Sequence, residues 1–298
     1  MKITEIVYKK YVNSAYDYNV AFLKKYGDKY KVQVLKCVRK KGVSSSVYNS
    51  KGSVNEKKLD CNIRRTKNAI KEIVLCNDWG YFITLTLDPK KYDRFNLSKF
   101  NKDLSQYIRD LRKKYDADIK YLLIPEQHKD GAWHIHGFIM GLPDAELELF
   151  TRDEHLPYYI LNKLENGEEV YNWVGYQQKF GNCNVEPIRD KDKASSYVTK
   201  YVTKSLEKSV EELNAKMYYC SRGLSRAQAI KKGCTSEMYK PTYIKQSDSG
   251  EFLYSEQWLP PMTEKQAAMY VYGSMDTQFV SITENDYNPF NSDQISVN

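Results

Sequence analysis

The spacing of apolar and polar residues divides this chain into short strands and longer helices. Trp133-His-Ile-His-Gly-Phe-Ile-Met140 is apolar on both sides of its histidines and predicts a strand. Tyr81 to Leu87 is β-branched and aromatic, predicts a second strand and stops at Asp88-Pro89. Ile119 to Pro125 predicts a third strand. With the turn signal Asp130-Gly131, residues 119–141 read as a β-hairpin. Helical spacing takes over elsewhere. Phe100, Leu104, Ile108 and Leu111 predict a helix over Leu97–Tyr115, with Asn96 or Ser98 as its cap. Leu59, Ile63, Ala69, Ile70, Ile73 and Val74 predict another over Glu56–Trp79, ended by Gly80 and basic along Arg64, Arg65, Lys67 and Lys71. Lys191 to Lys208 reads as a helix, and Val32–Val38, Asn184–Ile188 and Met217–Cys220 as short strands.

Shifts in composition suggest boundaries. Residues 1–55 are basic and aromatic (Tyr8, Lys9, Lys10, Tyr11) and end in a Ser-rich loop at Ser44–Ser53, which predicts a basic N-terminal extension. Residues 56–225 form the expected core domain, interrupted at 142–183 by an acidic, mixed stretch that reads as an inserted lid or specificity element. A C-terminal extension follows over 226–280, with weaker order expected from Glu256 on. The polar tail 281–298 reads as disordered.

Charge narrows the partner. The chain has 298 residues, a net charge of +8, 26 Tyr and 10 Phe, which suits a polyanion carrying bases. None of the six cysteines is spaced as Cys-x-x-Cys or lies near the histidines, so structural zinc is disfavoured. The N-terminus carries no apolar run of the signal-peptide kind, and no stretch reaches the roughly 18 consecutive apolar residues of a membrane span. A cytoplasmic protein with reduced thiols and no membrane partner is expected.

Two stretches carry candidate chemistry. On a strand His134 and His136 share one face and Ile135 takes the other, so the two imidazoles form a compact pair of metal ligands. A third ligand is expected from the hairpin. Glu126 is favoured, since a carboxylate suits Mg²⁺ or Mn²⁺; His128 competes with it and Gln127 is weaker. The other stretch, Tyr197-Val-Thr-Lys-Tyr201-Val-Thr-Lys204, repeats Tyr-x-x-Lys at a spacing that puts both tyrosines on one helix face. A phenol is a poor nucleophile at neutral pH unless helped. Lys200 or Lys204 can stabilise charge developing on an attacked phosphate. Tyr-x-x-Lys in two copies suits two successive cleavages, and its near symmetry implies that either tyrosine can attack. Lys204 and Arg222 are candidate phosphate contacts, and Trp133, Tyr218 and Tyr219 candidate stacking platforms.

Together these residues resemble the HUH endonucleases, in particular the two-tyrosine replication initiators of rolling-circle phages and plasmids. The resemblance rests on Phe82-Ile-Thr-Leu-Thr-Leu87, on His134-Ile135-His136 with Glu126 upstream, and on Tyr197 to Lys204, in that order. It covers roughly residues 75–225. It implies an α+β fold with a five-stranded antiparallel sheet flanked by helices and the histidines on a central strand. It also implies nicking of single-stranded DNA at a replication origin, a 5′-phosphotyrosine intermediate and a free 3′-OH primer. A mobilisation relaxase, a rolling-circle transposase and a non-catalytic nucleic-acid-binding protein are the alternatives. The chain has no Gly-x-x-x-x-Gly-Lys-Ser/Thr, so unwinding and synthesis are expected from a host helicase and polymerase.

Overall fold

A computed structural model of the chain describes residues 16–39, 56–152, 156–208, 217–236, 239, 244–246 and 252–273. In chain order the elements are β1 (Tyr16–Tyr26), β2 (Lys29–Arg39), α1 (Glu56–Leu75), β3 (Tyr81–Thr86), α2 (Leu97–Tyr115), β4 (Lys120–Gln127) and β5 (Trp133–Met140). Then follow β6 (Leu147–Leu149), α3 (Tyr158–Glu165), β7 (Tyr171–Trp173), α4 (Val174–Lys179), β8 (Cys183–Pro187), α5 (Lys191–Lys208) and β9 (Tyr219–Cys220). The last are β10 (Gln228–Cys234), β11 (Ile244–Gln246), β12 (Phe252–Trp258) and α6 (Glu264–Tyr272). The fold is α+β with antiparallel sheets. It divides into two compact units, one of residues 63–225 and one of residues 1–62 with 226–298.

The sheet of the 63–225 unit has seven strands in the order β6-β7-β8-β3-β5-β4-β9, where five were expected. The extra strands come from places that local pattern marked poorly. β6 and β7 lie in the acidic stretch 142–183, and they and α4 build that stretch into the sheet and its core. Strands this short leave almost no period-two signal. The strand β5 runs between β3 and β4, so the histidine strand is interior.

Alternation sorts the side chains of this sheet. Ile83, Leu85, Leu123, Ile135, Ile139, Cys183 and Val185 pack on one face against Phe100, Leu104, Ile108 and Leu111 of α2. The predicted stripe of α2 is therefore its buried face. Asn96 caps that helix, its side chain accepting from Lys99 N, while Arg112, Lys113 and Lys114 complement the dipole at the other end. Glu146 is buried beside this core and accepts from Tyr115 at 2.9 Å, Tyr107 at 3.1 Å and Trp173 at 3.3 Å, which meets the rule that a buried carboxylate be hydrogen-bonded.

In the other unit, β1 and β2 pair with strands from the far end of the chain, giving a sheet ordered β10-β1-β2-β12-β11. One face carries Ala21, Leu23, Val32 and Val34 against Ala267, Ala268 and Val271 of α6. The weaker order expected from Glu256 on is corrected as far as Gly273, the last described residue. Thr263 and Gln266 form a full capping box for α6, and Gly273 closes it in the left-handed conformation. The predicted strand Val32–Val38 lies within β2, whereas its partner β1 went unread in a Lys-rich stretch whose Ala21 and Leu23 pack with Ala267, Ala268 and Val271 from the far end of the chain. The Ser-rich loop 44–53, the first basic cluster at residues 8–11 and the tail 281–298 lie outside the described residues.

Gly137 lets β4 and β5 approach closely. A Cβ there would sit 2.1 Å from Leu122 O and 3.0 Å from Leu123 Cα. We expect Gly137→Ala to cost about 2–3 kcal/mol, lowering the melting temperature in a thermal scan by roughly 5–10 °C. An unchanged melting temperature would show that the strands can part without cost.

Candidate active site

The face of the sheet away from α2 holds the polar set. Register sets it: on β5, His134 lies opposite Glu126 of β4 and Thr86 of β3, and His136 lies opposite Ile124 and Thr84. Glu126 therefore shares the histidine face, as the hairpin predicted. The hairpin itself turns through Asp130-Gly131, with His128 N donating to Ala132 O at 2.9 Å. His136 Nε2 and Glu126 Oε2 are 2.9 Å apart and both side chains are buried. His134 stacks face to face on His128, with centroids 3.7 Å apart.

Thr84 and Thr86 are the members that sequence reasoning missed as site residues. Thr84 Oγ1 lies 3.2 Å from His136 Nδ1, and Thr86 Oγ1 lies 3.2 Å from His134 Nδ1. The signal was present as Thr-Leu-Thr at period two, in register with His-Ile-His. Asn184 of β8, opposite Thr84, belongs to the same face.

Burial dominates the electrostatics. It holds the His136 imidazole down to about 4, against the opposing pull of Glu126. His134 is also lowered, by burial first and the neighbouring His128 second. At 2.9 Å, His136 and Glu126 could form an ion pair, but loss of hydration outweighs the carboxylate's attraction and the ring is neutral at neutral pH. A neutral ring that donates through Nε2 to Glu126 accepts at Nδ1 from the Thr84 hydroxyl.

Helix α5 packs over β4 and β5 on this face. Its two tyrosines are not equivalent. Tyr201 is buried, 7 % exposed, and its ring stacks on His136 at 3.8 Å. Tyr197 is 47 % exposed and packs edge-on against Phe82 at 5.7 Å. The Tyr201 hydroxyl donates to the Tyr197 hydroxyl at 2.5 Å. Burial, then that bond, raises the Tyr201 phenol well above its ordinary value. Lys200 Nζ lies 5.7 Å from the Tyr197 ring centroid, and the two line a wide, open depression with Asp192, Lys193 and Ser196.

Residues 80–206, from the residue before β3 into α5, match the family model of the ORF2-type replication-associated proteins. The likeness is to replication-associated proteins and covers the site-bearing segment of the chain. No curated protein and no solved structure gives a significant match. Among the described residues, no helix is long and apolar enough to cross a membrane.

Other sequence-predicted residues are placed as follows. Gln127 lies opposite Trp133 and donates to Gly131 O at 3.2 Å. By alternation Trp133 is on the face opposite the histidines, and its indole donates to Phe95 O at 3.2 Å. Tyr219 packs against the α2-side core and Tyr218 is partly buried next to it. Arg222 is exposed in the turn after β9, beside the Tyr121 end of β4. Along β4, Tyr121 is three residues, roughly 10 Å, from Ile124, the partner of His136, and five residues, roughly 17 Å, from Glu126. The side chain of Lys204 lies outside the described residues.

The fit to a divalent metal rests on donor chemistry. Among the described residues no three His, Cys, Asp or Glu side chains stand grouped as a metal site. Two donors are in place, however. Glu126 Oε2 and His136 Nε2 are separated by 2.9 Å, about the spacing of adjacent oxygen or nitrogen ligands on a Mg²⁺-sized ion. Threonine hydroxyls on both Nδ1 atoms leave the Nε2 atoms as the ligating ones, the outer-shell pattern of metal-bound histidine. Glu126, His136 and His134 would hold the ion, with Thr84 turning from donor to acceptor as His136 gives up its Nε2 proton.

Because the folded protein binds the His136 proton less readily than the unfolded chain, the resulting stability is present above about pH 6.5 and is lost as pH falls towards about 4. In chelator-treated protein, urea midpoints should fall over that window more steeply for wild type than for His136→Gln. Parallel slopes would mean the ring titrates as it does in water.

Proposed function

We propose that this protein is a rolling-circle replication initiator of the HUH type: a metal-dependent endonuclease that nicks and rejoins single-stranded DNA at an origin through a tyrosine. The observation that carries the reading is the stacking of Tyr201 on His136 with Tyr197 hydrogen-bonded to it, which brings two phenols to the histidine–carboxylate face. A basic chain and the likeness to ORF2-type replication-associated proteins support DNA as the substrate.

In the cleavage step a tyrosine oxygen attacks the scissile phosphorus. The phenol loses its proton, the bond from phosphorus to the 3′ oxygen breaks, and that oxygen leaves as a hydroxyl after gaining a proton. The 5′ phosphate stays on the tyrosine. In joining, a 3′-hydroxyl attacks the phosphotyrosine, the phosphorus–tyrosine bond breaks and the phenol is restored. Bound Mg²⁺ or Mn²⁺ would supply Lewis-acid polarisation of the phosphate oxygens. The residues of the chain do the rest. Lys200, 5.7 Å from the Tyr197 ring centroid, favours the approach of phosphate. Tyr201 donates to the Tyr197 oxygen, which also stabilises negative charge there. Exposure favours Tyr197 for the first attack. Tyr201, raised by burial, then serves for the second once DNA and metal have altered its surroundings. The 3′-OH released would prime a host polymerase, with a host helicase opening the duplex.

A second reading is a mobilisation relaxase, a class suited by a third histidine at the metal; His128 is the residue that would have to supply it, and its ring lies stacked on His134.

The test is covalent adduct formation on single-stranded DNA from the element's own candidate origin, read on a denaturing gel. With Mg²⁺ or Mn²⁺ we expect an adduct from wild type, a larger loss in Tyr197→Phe than in Tyr201→Phe, and none from the double variant, from His134→Ala or with chelator. Tight binding of the true origin with no adduct under either metal would overturn the catalytic reading.

A further inference from the structure

The acidic stretch 142–183 contributes a helix to the histidine face. Two contacts tie α3 to β8. Asn184 Nδ2 donates to the Tyr159 hydroxyl at 2.5 Å, and Lys163 pairs with Glu186. Asn184 and Glu186 lie opposite Thr84 and Phe82, so both belong to the histidine face. Tyr159 and Lys163 are four residues apart on a helix, about 6 Å along its axis. Asn184 and Glu186 are two apart on a strand, about 6.6 Å. The order of the two pairs gives α3 and β8 the same direction, with α3 joined to β8 through these side chains. With α5 over β4 and β5, the face has a helix on either side of a strip formed by β3. Phe82, Thr84 and Thr86 floor that strip.

The rims of the strip are aromatic. Tyr197 stands on the α5 side. On the α3 side Tyr159 is 51 % exposed and Tyr158 beside it 81 % exposed. Large apolar side chains left open around a cleft mark a contact surface. Tyr159 differs from an ordinary surface tyrosine in being held at both ends: its backbone is in a helix and its hydroxyl is bonded to a buried amide. A ring immobilised in advance loses little entropy when a flat partner stacks on it. Nucleobases supply that flat partner, and they stack on aromatic side chains whatever the sequence.

We propose that α3 is the second wall of a single-strand binding trough, with Tyr159 as the platform on which one base of the bound strand stacks. This inference rests on the single-stranded DNA reading above and adds to it a binding residue that takes no part in the chemistry. The bond to Asn184 orients the ring, while the ring itself makes the contact.

Fluorescence anisotropy with a labelled single-stranded oligonucleotide of mixed sequence, in chelator so that nothing is cleaved, tests it. Tyr159→Ala should weaken binding about tenfold with an unchanged salt slope, while Tyr159→Phe, which keeps the ring, should stay within about twofold. A merely structural Tyr159 would give equal affinities for all three proteins and overturn the proposal, leaving the endonuclease reading intact. Failure of wild type to bind the oligonucleotide would defeat both. Should Tyr159→Ala not fold, photocrosslinking of wild type to a halogenated-uracil oligonucleotide decides. Adducts mapped by mass spectrometry to Tyr159 support the platform, and adducts confined to other residues refute it.

Discussion

The structure depends on one constraint: β5 is an interior strand whose side chains alternate between two unlike environments. Ile135 and Ile139 face the α2 core while His134 and His136 face the other way. Because each neighbour is antiparallel and in fixed register, that alternation also dictates what stands beside the histidines. Glu126 and Thr86 flank His134, and Thr84 flanks His136. A one-residue slip of β5 would put both imidazoles into the core and both isoleucines into the site. The apolar core on one side is therefore what holds the polar constellation on the other. Gly137, against the backbone of β4, lets the two strands come close enough for it.

The site is also shaped by what is withheld from water. His136 is neutral because burial outweighs a carboxylate 2.9 Å away. The same enclosure distinguishes two tyrosines that are nearly equivalent in sequence: one ring is clamped on His136 and one stands largely open. Burial makes the phenol of Tyr201 harder to ionise, and in the proposed reaction Lewis-acid help at the phosphate would offset that. The exposed rings of Tyr159 and Tyr197 lie on the outer sides of this region, where the proposed single strand would enter.

The two units are built on different principles of chain economy. The unit with the site is assembled mostly from neighbouring segments: β4 and β5 form a hairpin, and β6 to β8 follow closely. The other sheet joins β1 and β2 to β10 and β12 from the opposite end of the chain. Its core forms only when residues such as Val32 and Ala268 meet, so no local pattern could announce it.

What the sequence determined by itself was whatever depends on local period and adjacent turns. The bounds of α2, β5 and α5 follow from helical or strand spacing, and a short hairpin sets Glu126 across from His134 or His136, between which the register of β4 and β5 chose His134. The shared face of His134 and His136 follows from alternation alone. Tertiary structure decided what depends on contacts between distant segments. The seven-strand count needed β6 and β7 to find an edge. The threonine bonds to the histidines needed the register of β3, and the inequality of Tyr197 and Tyr201 needed α5 docked on β4 and β5. The place of Arg222 needed β9, which pairs with Leu122 and Leu123 of β4 and so sets the turn that follows it beside Tyr121. Side-chain period is written in neighbouring residues, whereas burial and cross-strand pairing are properties of the assembled sheet.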